Sequence, residues 1–311
     1  DPSYRGHEED KTDYLIDSIN PWTWFKAVKA IKTFQPDLVI IPWWTVFWAP
    51  CFGLISWLLT RQKIKVVYFC HNVVEHETAS WKKWLTRQVL KNAYSYVVHT
   101  REDKHNLQLL FPTANISVHP HPIYDHFPQP KGTLPRRKSL ELLFYGFVRP
   151  YKGLDDLVDA MVLLKGRDIQ LTIAGEFWNG EQEMRLKIEA AGLGDQIELR
   201  PRYHTDEETA ELFDRADVVV LPYRSATGSG VVPIAYHYNK PVIVTNVGGL
   251  PDVVLDQQTG WIVSSSEKQE LYNILSTLSQ QTCQATSGKI EEYKSHLSWD
   301  SLAETIRSGA A

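Results

Sequence analysis

Cysteine is scarce in this 311-residue sequence. Cys51, Cys70 and Cys283 are an odd number, stand far apart and are flanked mostly by apolar residues. That pattern excludes a disulfide framework, argues against a zinc site and suits reduced, buried thiols in a cytosolic compartment. An excess of one charge is missing too. The 33 Lys and Arg are interspersed with 37 Asp and Glu, for a net charge of -4. A general nucleic-acid binder normally carries a basic domain or stripe, so nucleic acid is not an expected partner. Short-period repeats and low-complexity tracts are absent. The charged, loop-like run over 1–13 has no signal-peptide pattern, so none is expected there.

Tryptophan, in contrast, is plentiful near the start, at Trp22, Trp24, Trp43, Trp44, Trp48 and Trp57. The stretch 38–59 has no charged residue and is long enough to span a bilayer on length alone. Pro42 and Pro50 divide it, and we read 37–42 as a buried parallel strand and 49–60 as the helix after it, within a soluble core. A shallow membrane contact stays open as an alternative, because tryptophans with Lys26, Lys29 and Lys32 on a nearby helix suit a bilayer surface.

The chain is long enough for two domains. Asn20 followed by Pro21 predicts a capped helix over 22–34. Strands are expected at 37–42, 65–69, 94–99 and 116–119, separated by helices near 49–60, 80–92 and 101–110. A Pro- and His-rich stretch, 120–138, has neither period and reads as an interdomain linker. A second series follows, with strands near 140–145, 170–174, 196–199, 218–221, 242–245 and 261–263, and helices near 153–165, 181–191, 205–215 and 231–238. Such alternation predicts an α/β chain of two Rossmann-like, doubly wound parallel-sheet domains.

In open parallel sheets ligands bind beyond the carboxyl ends of the strands. After the strand 140–145 come Gly146-Phe-Val-Arg149-Pro-Tyr-Lys152-Gly153, with two permanent cations beside a helix start. The macrodipole disfavours cations there unless an anion lies between them, which points to a phosphate partner, solvated surface cations being the alternative. After the strand 218–221 come Tyr223-Arg-Ser-Ala-Thr227-Gly228-Ser229-Gly230, small residues that would let backbone amides approach a diphosphate, or a plain flexible loop. A third loop of the same character is Asn246-Val-Gly-Gly-Leu-Pro-Asp252. In the first half, His71 follows a strand directly and would face a cleft, where it would bond a sugar hydroxyl or simply a loop carbonyl. His76 and Glu77 have no partner ligands at recognisable spacing, so no metal is expected.

This ordered set of motifs resembles family 4 of the retaining GT-B glycosyltransferases. It comprises Gly146 with Lys152-Gly153, Ala174-Gly175-Glu176, Ala216-Asp217-Val218 leading to Leu221-Pro222-Tyr223, Lys240-Pro241, Gly248-Gly249-Leu250-Pro251 and Thr259-Gly260. The resemblance implies a GT-B fold with an N-terminal acceptor-side domain over 1–133 and a C-terminal donor-binding domain over 139–295. A C-terminal helix over 296–311 would pack back on the first domain. It implies a glycosyltransferase moving a hexosyl group, with retention, from a nucleoside-diphosphate sugar to a glycan or lipid-linked acceptor. It further implies no cofactor and no metal ion, in the cytoplasm and peripheral to the inner membrane face. Carried over residue by residue, it makes His71, Arg149 and Lys152 catalytic. Gly146, Glu176, Arg202, Tyr203, Thr227, Gly228, Ser229 and Gly230 become the donor-binding set, with Arg202 and Tyr203 near the base.

The sequence departs from the family at three places. The arginine that usually follows the glycine comes at Arg149, with Phe147 in its place, and the usual glutamate pair falls at Ala226 and Ile234. Thr227 or Ser229 would have to supply hydroxyls instead of those carboxylates. The glycine-rich first loop is also absent. Either about sixty residues, by the size of a βαβ unit, precede this sequence, or the N-terminal domain is reduced. The lost glutamates favour an alternative reading, a GT-B protein without turnover that binds nucleotide sugars or serves as a complex subunit. An epimerase would need a carboxylate set that the sequence lacks.

Overall fold

The computed structural model describes residues 12–71, 73, 80–265 and 268–310. These form two compact units. The first takes the described residues up to Val98, Asp103–Ser117 and the residues from Ile306. The second takes His99–Glu102 and Val118–Thr305.

In the first unit, helix Pro21–Phe34 starts where expected. The Asn20 side chain accepts the Trp22 amide and Pro21 fills the first position. Strands β1 (Leu38–Trp43), β2 (Lys65–Cys70), β3 (Ser95–Val98) and β4 (Ile116–Val118) lie side by side in chain order, and β1, β2 and β3 run parallel. Helix Ala49–Thr60 connects β1 to β2, and among the described residues no helix is long and apolar enough to cross a membrane. The last residues of helix Trp299–Ala310 belong to this unit. Asn115 Nδ2 donates to the Gly309 carbonyl at 2.9 Å, and the Lys65 ammonium donates to that of Ala310.

The second unit is built on β5 (Leu140–Tyr145), β6 (Ile169–Ala174), β7 (Ile197–Arg200), β8 (Val218–Leu221), β9 (Val242–Thr245) and β10 (Gly260–Val263). All pairings are parallel and the order is β10-β9-β8-β5-β6-β7. The chain winds outward from β5 to β7, then returns to β8 on the other side of β5. The winding therefore reverses between β5 and β8, which is where a ligand crevice opens at the carboxyl ends. Leu140, Leu142 and Phe144 pack into one apolar cluster and Leu143 into another, so β5 is buried on both faces.

The stretch expected as a linker packs along the second unit. The Ile123 amide donates to the Leu297 carbonyl at 2.9 Å, the Tyr238 hydroxyl donates to the Pro128 carbonyl at 2.9 Å, and Arg136 grips Asp217 through both terminal nitrogens at 3.0 and 2.6 Å. The physical reason is that a proline-rich strap has no ladder of its own, so its polar groups are satisfied by the elements beside it. Asp217 also accepts the Glu141 amide at 2.8 Å, which gives the Ala216-Asp217-Val218 motif a structural task at the amino end of β8.

Beside it Arg215, buried, donates to Thr172 Oγ1 at 2.6 Å and Glu198 Oε2 at 2.8 Å, and stands 3.7 Å from Glu141. Burial works against ionisation of Glu198, but hydrogen bonds from Arg215 and Arg200 more than offset it and lower its pKa. A carboxylate lowered in the folded state contributes stability above its ordinary range and loses it as pH falls through the lowered value. Arg215→Met takes the ion-pair partner from buried Glu141 and one of two hydrogen-bonding arginines from Glu198, and should destabilise the protein by roughly 3 kcal/mol near neutral pH, less in acid. Denaturant unfolding at pH 7 and pH 4 measures this, and an unchanged midpoint at both would remove the network from the stability of the fold.

Candidate donor site at the sheet switch point

β5 ends into Gly146, whose φ of +93° turns the chain out of the strand while its amide still donates to the Ala174 carbonyl at 2.9 Å. The 3-10 turn Pro150–Lys152 follows, then Gly153 at φ +66° and helix Leu154–Leu163. A Cβ at Gly153 would lie 1.9 Å from the Pro222 carbonyl oxygen, so only glycine lets this loop press on the loop after β8. Arg224 ties the two loops further. Its amide donates to the Tyr151 carbonyl at 2.7 Å and its Nε to Asp156 at 2.7 Å.

This clamp positions Lys152. The residue is 8% exposed, and its ammonium lies 5.4 Å from the centre of the Tyr223 ring. A Cβ on Gly146 would stand 3.5 Å from that nitrogen and 3.6 Å from Val231, so the ammonium and the start of helix Val231–His237 both flank Gly146. Among the described residues no carboxylate pairs with Lys152. Burial, with the nearby charge of Arg149 added, lowers its pKa to about 8. An uncompensated buried cation is costly, and an anion at Gly146 would offset that cost.

The loop after β8 converges on the same place. Tyr223 is buried, its hydroxyl stands 3.4 Å from Ser229 Oγ, and Ser229 Oγ accepts the Val231 amide at 3.2 Å. Nothing lies within 4 Å of a Cβ placed on Gly228, so the backbone there borders open space. The cradle of bare amides expected here is thinner than the sequence suggested. Ser229 already satisfies Val231, and Pro233, in the first turn of the helix, has no amide hydrogen to offer.

The third glycine loop is a buttress. Gly249 donates to the Thr227 carbonyl at 3.2 Å, and a Cβ on Gly248 would lie 1.5 Å from the Ala226 carbonyl oxygen. Its glycines permit close packing of one loop on another.

The remaining expected residues are placed as follows. Arg149 is exposed and lies over the Trp178 ring at 4.7 Å, beside a cavity lined by Phe177, Asn179 and Glu183. Glu176 is exposed and its carbonyl accepts the Val148 amide at 2.8 Å. Arg202 is committed to Glu208 at 2.7 and 2.6 Å, which holds that carboxyl down to about 2, and Tyr203 is exposed. Gly230 follows Ser229 at the helix start, where a Cβ would meet the Tyr124 hydroxyl at 3.4 Å. Ile234 is part of the core and Ala226 packs against it, so neither site of the family's glutamates carries a charge.

His71 belongs to the first unit, at the carboxyl end of β2. Its amide donates to the Trp43 carbonyl at 2.9 Å, and its ring stacks on Trp44 at 4.9 Å and meets Phe69 edge-on. His76 and Glu77 lie outside the described residues.

Sequence reasoning missed Tyr223 as the floor of the site. It also missed His121, whose Nδ1 stands 2.9 Å from the Pro122 carbonyl beside a small cavity under Gly228 and Ser229. The repeated His-Pro of 119–122 was the available signal, masked by its reading as a linker.

The profile described as glycosyl transferases group 1 matches residues 125–294, and that of glycosyltransferase family 4 matches residues 5–126. A D-inositol 3-phosphate glycosyltransferase from Arthrobacter sp. (strain FB24) is 35% identical over 146 residues, which is 45% of this chain and 34% of that protein. A GDP-mannose:glycolipid 4-beta-D-mannosyltransferase from Xanthomonas campestris pv. campestris is 26% identical over 223 residues, covering 68% of this chain and 59% of its own length. The chain thus spans about a third to a half of the length of the first relatives it matches, from 34% to 52%. Among solved structures, Anabaena HepE in complex with UDP superposes with a TM-score of 0.73 at 17% identity, covering 94% of this chain and 85% of that one. Sucrose-phosphate synthase from Thermosynechococcus elongatus gives 0.67 at 19% identity, covering 92% and 77%. The paired parallel sheets are therefore those of the GT-B fold, and the chain belongs to the glycosyl transferases group 1 family.

Proposed function

We propose that this protein moves a hexosyl group from a nucleoside-diphosphate sugar to a glycan or lipid-linked acceptor, with retention of configuration, at the cytosolic face of a membrane. The observation that carries the donor side is the buried, carboxylate-free ammonium of Lys152 beside Gly146 at the switch point of the second sheet. A leaving diphosphate gains negative charge as the glycosidic bond breaks, and a preplaced cation in a dry site stabilises that charge most where it develops. With Lys152 supplying it, the proposed reaction calls for no metal ion and no cofactor. Arg149, next along the same loop, would swing from Trp178 to the outer phosphate oxygens. His71 would bond the donor sugar or orient the acceptor. The GDP-mannose of the Xanthomonas relative and the UDP bound by HepE support a sugar nucleotide as donor, and the glycolipid on which the Xanthomonas protein acts supports a lipid-linked acceptor.

A second reading, a nucleotide-sugar binder without turnover, draws on Ala226 and Ile234, which leave the usual carboxylate positions apolar. Release of free nucleoside diphosphate across a panel of UDP-, GDP- and ADP-sugars separates the two. Donor-dependent release supports the transferase, whereas thermal stabilisation by the same donors without release supports the binder.

Lys152→Ala should lower turnover at least about tenfold, the scale of one lost charge-assisted contact to the diphosphate. Unchanged kinetics would take the residue out of the mechanism.

Binding should also depend on pH. An anion favours the protonated lysine, so the bound pKa rises above about 8 and affinity falls as pH increases through that value. Titration calorimetry with UDP, GDP and ADP from pH 7 to 9.5 should show proton uptake on binding. Lys152→Gln should flatten the profile, and the same slope in that variant would contradict the assignment.

A further inference from the structure

Helices Pro21–Phe34, Ala49–Thr60 and Ser80–Leu90 pack side by side in the first unit, the middle one touching both others. None of the three contains an acidic residue, in a protein whose net charge is -4. Their outward faces are unusual for a soluble surface. On the first helix, Trp24, Ala27, Val28 and half-buried Ile31 face the protein, and Trp22, Phe25, Lys26, Lys29 and Lys32 lie on the opposite, exposed face. On the third, Thr86, Val89 and Leu90 are buried while Trp81, Lys83, Trp84 and Arg87 are exposed. Trp22, Trp81 and Trp84 are 76%, 60% and 62% exposed, and Phe47, just before the middle helix, is 63% exposed. A monomeric soluble protein rarely shows so many large aromatics on one face.

The unopposed positive charge of these helices and the place of the rings along them carry the argument. Helices that connect parallel strands start at the carboxyl edge of the sheet, and the helix before β1 runs the same way. The exposed aromatics Trp22, Phe25, Phe47, Trp81 and Trp84 therefore gather at the carboxyl edge, where His71 also stands. Cations are interleaved with these rings: Lys26 follows Phe25 and exposed Lys83 stands between Trp81 and Trp84, while Lys32, about 15 Å from Trp22 along the helix axis, Arg61 and Arg87 lie further down with exposed Phe34 and Trp57. Arg61 folds over Trp57 at 4.0 Å. Exposed aromatic rings interleaved with cations, on three adjacent helices without an acidic residue, match a bilayer interface, where tryptophans enter the headgroup boundary and lysines meet anionic lipid.

We propose that this face of the first unit docks on an anionic lipid bilayer, inserting Trp22, Phe25, Phe47, Trp81 and Trp84 and presenting the edge that carries His71 to the membrane. It deepens the membrane-face part of the reading above. It needs no donor, so failure of the release assay would leave it standing.

Flotation of the full chain with phosphatidylcholine vesicles, with and without phosphatidylglycerol, tests it. Binding is expected only with the anionic lipid and should weaken as salt is raised. Lys26→Ala with Lys29→Ala should weaken binding roughly twenty- to thirtyfold, at about fivefold for each cation lost near the surface. Trp81→Ser with Trp84→Ser should abolish flotation while donor-independent thermal unfolding stays as in the parent. No flotation, or flotation that both variants retain, would overturn the proposal. So would a parent that elutes as a dimer and a tryptophan variant that elutes as a monomer with neither floating, since the face would then be covered by a second copy.

Discussion

The second unit is organised around one uncompensated charge. Burying an ammonium without a carboxylate works against the fold, and the lowering of the Lys152 pKa to about 8 measures that opposition. The surrounding backbone prevents relief by swinging into water. Gly146 and Gly153 turn in the left-handed region, Gly175 lets its backbone press against the Gly146 carbonyl, and Arg224 fastens the turn to the next loop. These features hold a cation against the neutral ring of Tyr223 and leave its attraction for an anion unspent.

The opposite end of the same sheet shows the contrasting solution. Arg215, Glu141 and Asp217 are also buried, with Glu198 half-buried and Arg136 reaching in from the surface, yet there each charge meets its opposite or a backbone donor. Networks of this kind add definition more than net stability, because desolvation consumes most of the Coulombic gain. Charges are therefore balanced at the amino edge, where the strap and the strands are fastened together. They are unbalanced at the carboxyl edge, where the winding of the sheet opens a crevice. The Ala216-Asp217-Val218 motif belongs to the first task, and Gly146 with Lys152 to the second.

Each unit buries some aromatic side chains and exposes others. In the second, Tyr223, Tyr236, Phe144 and Phe213 are fully buried. In the first, many rings face outward on helices without acidic residues, so burial within the chain does not account for them. The early cluster of tryptophans thus splits in the folded chain, with Trp24 and Trp43 in the core and Trp22 and Trp44 outside it.

Most of the architecture was legible in the residues themselves, because short apolar runs alternating with helical periods have few solutions other than parallel sheets. Asn20-Pro21, the helix Ala49–Thr60 and the strands of the second sheet follow from local pattern and capping chemistry alone. Strand order did not, since which strand neighbours β5 depends on pairing between residues far apart in the chain. With that order came the meaning of the loops. Two that read alike, Thr227–Gly230 and the Gly248-Gly249 run, separate into a wall of the site and a brace behind it only when their carbonyls and amides are placed in space. The committed state of Arg202, the parking of Arg149 on Trp178 and the isolation of Lys152 are likewise properties of neighbours. A side chain's charge is written in the sequence, but its partner and its dielectric surroundings exist only in the fold.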